Sequence, residues 1–190
     1  HAWPSLDIER EILAGVGAEL VVALCGDAAE LVELAVDVDA ILTNWKPVPP
    51  AALDASPGCL VVSRYGVGLD NIPVGQATEL GILVTNVPDF CLEEVSDHAM
   101  ALLLACARRV VTFARATHAG VWDLSAGRGL PRLREQTLGL IGFGSIAQAL
   151  VPKARGFGMR VLAYTPRVTP STRADVELTN DLDRVLAEAD

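Results

Sequence analysis

The chain is poor in the residues that mark a metal centre, a disulfide scaffold or a surface for polyanions. Its four cysteines, Cys25, Cys59, Cys91 and Cys106, lie far apart, form no CxxC pair and have no histidine at ligand spacing. Neither a zinc site nor a disulfide framework is expected, so no metal is assigned and the thiols read as reduced, which points to a cytoplasmic protein. Positive charge is scarce as well: 15 Lys and Arg stand against 24 Asp and Glu, for a net charge of −9. Nucleic acid and anionic membranes both demand clustered cations, so neither is an expected partner. An anionic ligand has to be held by local geometry instead. Aromatic residues make up only 5% of a chain that is 51% hydrophobic, leaving a core of Ala, Leu and Val typical of α/β proteins. No apolar run is long: AMALLLACA at 99–107 stops at Arg108 and Arg109 and is far too short to cross a bilayer. No signal-peptide pattern precedes the fold.

Against these absences stands one strong local pattern, TLGLIGFGSIAQAL at 137–150. It reads as an apolar strand running through G-x-G-x-x-A into a helix, with a second strand, MRVLAYTP at 159–166, completing a βαβ unit. Gly142 serves the tight turn, Gly144 leaves room for a pyrophosphate beside the backbone, and Ala147 lets helix and strand pack closely. The amides of Ser145 and Ile146, at the positive end of the helix, are the expected phosphate donors. Pro152 falls inside this helix, where it deletes a hydrogen bond and costs about 3 kcal/mol unless the helix kinks.

Upstream, short Val/Ile/Leu runs alternate with helical segments, the rhythm of parallel strands and crossover helices. Strands are expected at ELVVAL (19–24), DAILTN (39–44), CLVVSR (59–64) and ILVTN (82–86), with helices over 5–13, over 28–35 and after Pro73. The chain opens on a helical segment where such a domain normally opens on a strand, as if its start were clipped. A long helix is expected from Glu93 to about Ala116, apolar on nearly every side between Ala99 and Cys106 and therefore buried between layers or domains. A weakly patterned arm follows at 118–136, longer than ordinary connections and so read as functional. With well over a hundred residues ahead of the glycine turn, two domains are implied, at 1–92 and 93–190. Ser96, Asp97 and His98 invite a triad reading, but successive helical residues point about 100° apart, so they cannot converge on one face.

Three motifs in order, SRYGVGLDNI (63–72), TNVPDFCLEEVSDHAMALLLACARR (85–109) and LREQTLGLIGFGSIAQAL (133–150), resemble the D-isomer-specific 2-hydroxyacid dehydrogenase family. The style is closest to phosphoglycerate-dehydrogenase-like and C-terminal-binding-protein-like members. The resemblance implies an α/β protein with a flavodoxin-like substrate domain followed by a Rossmann domain, here truncated, that close over NAD or NADP and a small 2-oxo or 2-hydroxy acid. It assigns the backbone amides of Val67 and Gly68 to the substrate carboxylate. Arg64 adds charge there or serves as a structural ion partner, and Val95 approaches the nicotinamide or packs in a core. The arm with Trp122 and Leu130 to Leu133 resembles a dimer-forming element, implying a homodimer. Thr165 stands where many members carry a ribose-binding Asp, and Arg167 follows two residues later, an arrangement that suits the 2′-phosphate of NADP. The family's catalytic Arg, carboxylate and His match no segment up to Asp190. The chain therefore resembles roughly the first three fifths of such an enzyme, no catalytic residue is assigned, and this polypeptide alone is expected to be inactive. The alternative of another class is a dinucleotide-sensing corepressor on the same fold; a methyltransferase is disfavoured by SRYGVGLDNI.

Overall fold

The computed structural model describes residues 4–167 and 175–190. The chain forms two compact units, one ending at Phe90 and the other beginning at Cys91.

In the first unit, helices α1 (Asp7–Ala14) and α2 (Ala28–Leu34) precede strand β1 (Ala40–Thr43). Then come α3 (Pro50–Asp54), β2 (Val61–Arg64), α4 (Val74–Glu79) and β3 (Leu83–Thr85). The strands pair in parallel in the order β1-β2-β3, with Thr43 opposite Arg64 and Ser63 opposite Thr85. Parallel pairing requires a crossover between strands, which α3 and α4 supply. Val62, Leu53 and Ala77 form the centre of the core with Val48, Cys59, Ile72 and Ile82. Placing Val62 of β2 in one cluster with Leu53 of α3 and Ala77 of α4 fixes both helices against the sheet.

Residues 19–24 are not a strand, contrary to the sequence pattern. A strand needs a hydrogen-bonded neighbour, and among the described residues β1 pairs only with β2. The segment stands across from β1 over an apolar cleft of about 700 Å³ lined by Leu20, Val22, Leu31 and Ile41, with Leu24 95% exposed. Three parallel strands with crossover helices make the unit α/β.

The second unit opens with α5 (Leu92–Ala107) and α6 (Val110–His118). The single helix expected over 93–116 is thus two. Arg109 breaks it by adopting a left-handed backbone, φ 53°, and its guanidinium donates to the Ala126 carbonyl in the arm. The burial expected for α5 is also corrected: only Ser96 and Met100 are buried, Leu102 is 55% exposed, and α6 buries nothing. One face of α5 packs, and the apolar remainder has no covering layer within its own unit. The arm contains only two 3₁₀ turns, Ser125–Gly127 and Leu133–Glu135.

Strand β4 (Thr137–Ile141), helix α7 (Ser145–Gly156), strand β5 (Arg160–Tyr164), strand β6 (Glu177–Thr179) and helix α8 (Leu182–Glu188) complete the unit. The parallel order is β4-β5-β6. Beneath α7, Val151, Ala154, Met159 and Val161 form the core, joined by Leu103 of α5 and by Leu138 and Leu140 of β4. The helix runs through Pro152, whose side is exposed. Because the freed carbonyl belongs to Gln148, itself exposed, water can satisfy it. Helix α8 lies directly on β4 at Gly139, where a Cβ would come within 2.7 Å of the Ala189 Cβ. An ion network ties β5, β6 and α8 together: Arg160 bonds Glu177 and Glu188, each at 2.7 Å, and Arg184 bonds the same two carboxylates. Arg160, followed by Arg184, holds the Glu177 carboxyl down from its ordinary 4.5 to about 2.

Candidate functional site

The glycine turn is built from the end of β4. Gly142 takes φ 95°, a conformation that L side chains resist, and its amide donates to the Tyr164 carbonyl at 2.9 Å, tying the turn to the end of β5. Gly144 is the N-cap of α7, with φ −78° and ψ −173°, an extended geometry open to any residue. Nothing lies within 4 Å of the position a Cβ would take there. The fold itself therefore gives no reason for glycine at 144, whereas a group resting on the backbone does.

The first hydrogen bond of α7 runs from the Gln148 amide to the Gly144 carbonyl at 3.0 Å. The preceding amides, those of Ser145, Ile146 and Ala147, have no acceptor among the described residues, and no side chain caps them. No carboxylate occupies the first turn, while Lys153 and Arg155 sit in the last, a distribution that leaves the amino-terminal end positive. Ala147 is half-buried, as close helix packing requires. Free donors, an open cradle and a positive helix end together fit a pyrophosphate.

Beyond β5, the Thr165 amide donates to the Thr179 carbonyl at 2.9 Å, and its hydroxyl donates to the Arg167 carbonyl at 3.3 Å. Arg167 is exposed, and its guanidinium has no ion partner among the described residues. Val95, in the first turn of α5, is 43% exposed, which removes core packing within the unit as its role.

In the other unit, the loop after β2 is shaped by its carbonyls. The Gly66 carbonyl accepts from the Val87 amide at 3.0 Å, the Val67 carbonyl from Asn86 Nδ2 at 2.7 Å, and the Gly68 carbonyl from Arg64 Nη1. A trans peptide sets each N–H opposite the preceding C=O, and no peptide in the described chain is cis. The amides of Val67, Gly68 and Leu69 thus point away from these partners, and none has an acceptor among the described residues. A Cβ at Gly68 would meet Asp70 Oδ1 at 2.8 Å and Arg64 Nη1 at 2.9 Å, so any larger residue there must displace the ends of these two side chains, including the Arg64 guanidinium that holds the Gly68 carbonyl. Arg64 acts as an internal brace: its Nε donates to the Asn44 carbonyl at 3.0 Å, and Asp70 lies 3.9 Å from its Nη1. Leu69 and Asn86 escaped the sequence reading, because the first contributes only its amide and the second only its grip on a neighbour's carbonyl.

His98 is exposed and joins no acid–base constellation, while Ser96 and Asp97 turn to Lys153 instead. All four cysteines are free, and no group of metal-ligating side chains occurs among the described residues. No described helix is long and apolar enough to cross a membrane.

Residues 100–190 match the family described as D-isomer specific 2-hydroxyacid dehydrogenase, NAD binding domain. The chain is 38% identical over 162 residues to a glyoxylate reductase of Thermococcus kodakarensis, covering 81% of this chain and 49% of that protein. It is equally similar to a hydroxypyruvate reductase of Thermotoga maritima, 38% over 162 residues, covering 85% and 52%. Among solved structures, the TT0316 protein of Thermus thermophilus aligns with a TM-score of 0.84 at 32% identity, over 100% of this chain and 61% of that one. The chain thus spans about half the length of the curated relatives it matches.

Proposed function

Since residues 100–190 match the NAD-binding domain of the D-isomer-specific 2-hydroxyacid dehydrogenases, we propose that the whole protein belongs to that family and is an oxidoreductase interconverting a small 2-oxo acid and a D-2-hydroxy acid. The observation that carries this reading is Gly144, a glycine demanded neither by its backbone angles nor by any neighbour, set before three unpartnered amides. When bound, NAD or NADP supplies the hydride-carrying nicotinamide. The amides of Ser145, Ile146 and Ala147 hold the anionic bridge of the dinucleotide, and Val95 flanks its nicotinamide end. Thr165 offers a hydroxyl rather than a carboxylate at the end of β5 and leaves Arg167 available for a 2′-phosphate, which favours NADP.

The acid is held by the loop at Val67 and Gly68, joined by Leu69. Several N–H donors on one carboxylate form charge-assisted bonds without any need for a side-chain cation. Arg64 contributes by bracing the loop. The unit carrying this loop is the substrate domain, of flavodoxin-like topology, and the protein works as a homodimer through the arm, where Trp122 and Leu124 are exposed. Free thiols and an acidic surface suit the cytoplasm. Glyoxylate and hydroxypyruvate, named in the relatives above, are the first substrates to try. The two curated relatives above are reductases, and nothing favours the corepressor alternative. The test is oxidation of NADH and NADPH by the whole protein with glyoxylate, hydroxypyruvate and pyruvate. Failure to reduce any 2-oxo acid with either cofactor would overturn the proposal.

A further inference from the structure

Lys153 is one of only two lysines in the chain, the other being Lys46. It sits two turns along α7 from the phosphate-facing amides, and its ammonium reaches across to the first turns of α5. There it lies 2.9 Å from Glu93 Oε2, 2.6 Å from Asp97 Oδ1 and 2.6 Å from Ser96 Oγ, with the Glu93 carbonyl at 3.3 Å. Three N–H donors are thus saturated by two carboxylates and a hydroxyl. Ser96 is fully buried and passes its own proton to the Glu93 carbonyl at 3.0 Å. One turn further along the same face of α5, Met100 is buried, and Leu103 packs against the cluster that Val151 and Ala154 of α7 form with Met159 and Val161.

A serine hydroxyl beside a lysine amine invites a nucleophile–base reading. Two observations exclude it: Asp97 and Glu93 hold the amine protonated, raising its pKa above the ordinary 10.5, and Ser96 offers no accessible surface for a substrate.

The start of α5 has few other anchors. Its N-cap, Cys91, adopts a left-handed backbone with φ 59° and its side chain accepts no capping hydrogen bond, so the clamp from Lys153 is an anchor supplied from another helix. Val95 lies in that turn, between Glu94 and the buried Ser96. We propose that Lys153 is a positioning residue for the nicotinamide end of the cofactor, coupling the helix that receives the pyrophosphate to the turn that presents Val95. The proposal rests on the dinucleotide-binding reading above. One helix then registers both ends of the ligand, the phosphates through its amino-terminal amides and the nicotinamide wall through Lys153.

A purely structural salt bridge and a positioning one differ in which ligand feels its loss. Lys153→Met keeps the aliphatic stem but releases the first turn of α5. In the whole protein, the affinity for NADH or NADPH, whichever the wild type prefers, and kcat/KM should both fall about tenfold, a typical penalty for misplacing a ligand wall. Affinity for ADP-ribose, or for its 2′-phosphate form where NADPH is preferred, should stay within about twofold, because it uses the phosphate turn but lacks nicotinamide. Lys153→Arg, which keeps the charge, should restore most of the loss. Should the Met variant fail to fold, Asp97→Asn removes one exposed arm of the clamp and should shift the same ratio by about two- to threefold. Equal weakening of both ligands, or of neither, overturns the proposal. A wild-type protein that binds no dinucleotide removes the functional reading itself, a result distinct from a wild type that binds and a variant that behaves identically.

Discussion

Gly144 offers the sharpest test, because stability and binding should part company there. At an extended N-cap, replacing glycine by alanine costs about 0.5–1 kcal/mol of capping preference, and it regains about 0.4–1 kcal/mol by restricting the unfolded chain. With nothing within 4 Å of the new Cβ, no steric term is added. Gly144→Ala should therefore leave the stability of the fold within about 0.5 kcal/mol of wild type. The consequence for binding is different, since the Cβ occupies the space through which a pyrophosphate reaches the Ser145, Ile146 and Ala147 amides. Each charge-assisted hydrogen bond contributes about 1.5–3 kcal/mol, so losing even two at the low end weakens binding by about 3 kcal/mol, roughly a hundredfold. Gly144→Val should reach that figure, with Ala intermediate. Titration calorimetry with NADH and NADPH, beside urea denaturation of the same samples, reads both quantities. Unchanged affinity in the Val variant would refute the phosphate assignment. A parallel collapse of stability would show that the fold needs glycine after all.

Gly68→Ala drives a methyl group against Arg64 and Asp70, so the carboxylate loop should open and KM for the 2-oxo acid should rise about tenfold or more, with dinucleotide affinity nearly unchanged; steady-state kinetics and calorimetry separate the two. Arg167→Ala should reduce kcat/KM with NADPH by about tenfold and leave that with NADH within twofold, and a strong NADH preference unaltered by the substitution would oppose the NADP assignment. Glu177→Gln cuts the centre of the β5–β6–α8 network. Its depressed pKa stabilises the fold fully above about 4.5 and is lost as pH falls toward about 2, so the variant should lower the urea midpoint at neutral pH and flatten its decline across that window. An unchanged acid profile would place the stabilisation elsewhere.

Legibility followed the range of the interactions. The strands at 40–43, 61–64, 83–85, 137–141 and 160–164 were readable because each is a compact apolar run closed by a turn signal. ELVVAL has the same composition yet is not a strand, since composition supplies propensity while pairing depends on a neighbour elsewhere in the chain. Strand β6 was missed because three residues, Glu177–Thr179, carry too little periodicity; its register with Leu162 to Tyr164 defines it. The break at Arg109 was hidden for another reason: a left-handed turn without glycine leaves no mark in the letters. At the glycine turn, the spacing disclosed the strand–turn–helix geometry and the amides that the helix leaves without an acceptor among the described residues. At the loop after β2, Val67 and Gly68 were within reach of the motif, whereas Asn86 and Leu69 emerge only when each carbonyl is followed to its partner.

The scarcity of cations also takes on a different meaning once both candidate sites are drawn. Composition argued that an acidic chain is poorly suited to polyanions, and that holds for extended surfaces, where affinity grows with the number of Lys and Arg contacts. It does not hold for a small anion buried against the main chain. At Ser145 to Ala147 and at Val67 to Leu69, the donors are peptide N–H groups whose carbonyl counterparts are already engaged or lie within the helix, so positive potential is generated without a titrating side chain. Such donors keep their charge distribution at every pH and cost no side-chain ordering on binding. The side-chain cations beside them, Arg64 in one unit and Lys153 in the other, are spent on carbonyls and carboxylates of the protein itself. Each braces the backbone beside the unpartnered amides or the first turn of α5, so a net charge of −9 is compatible with the two proposed anion-binding loops.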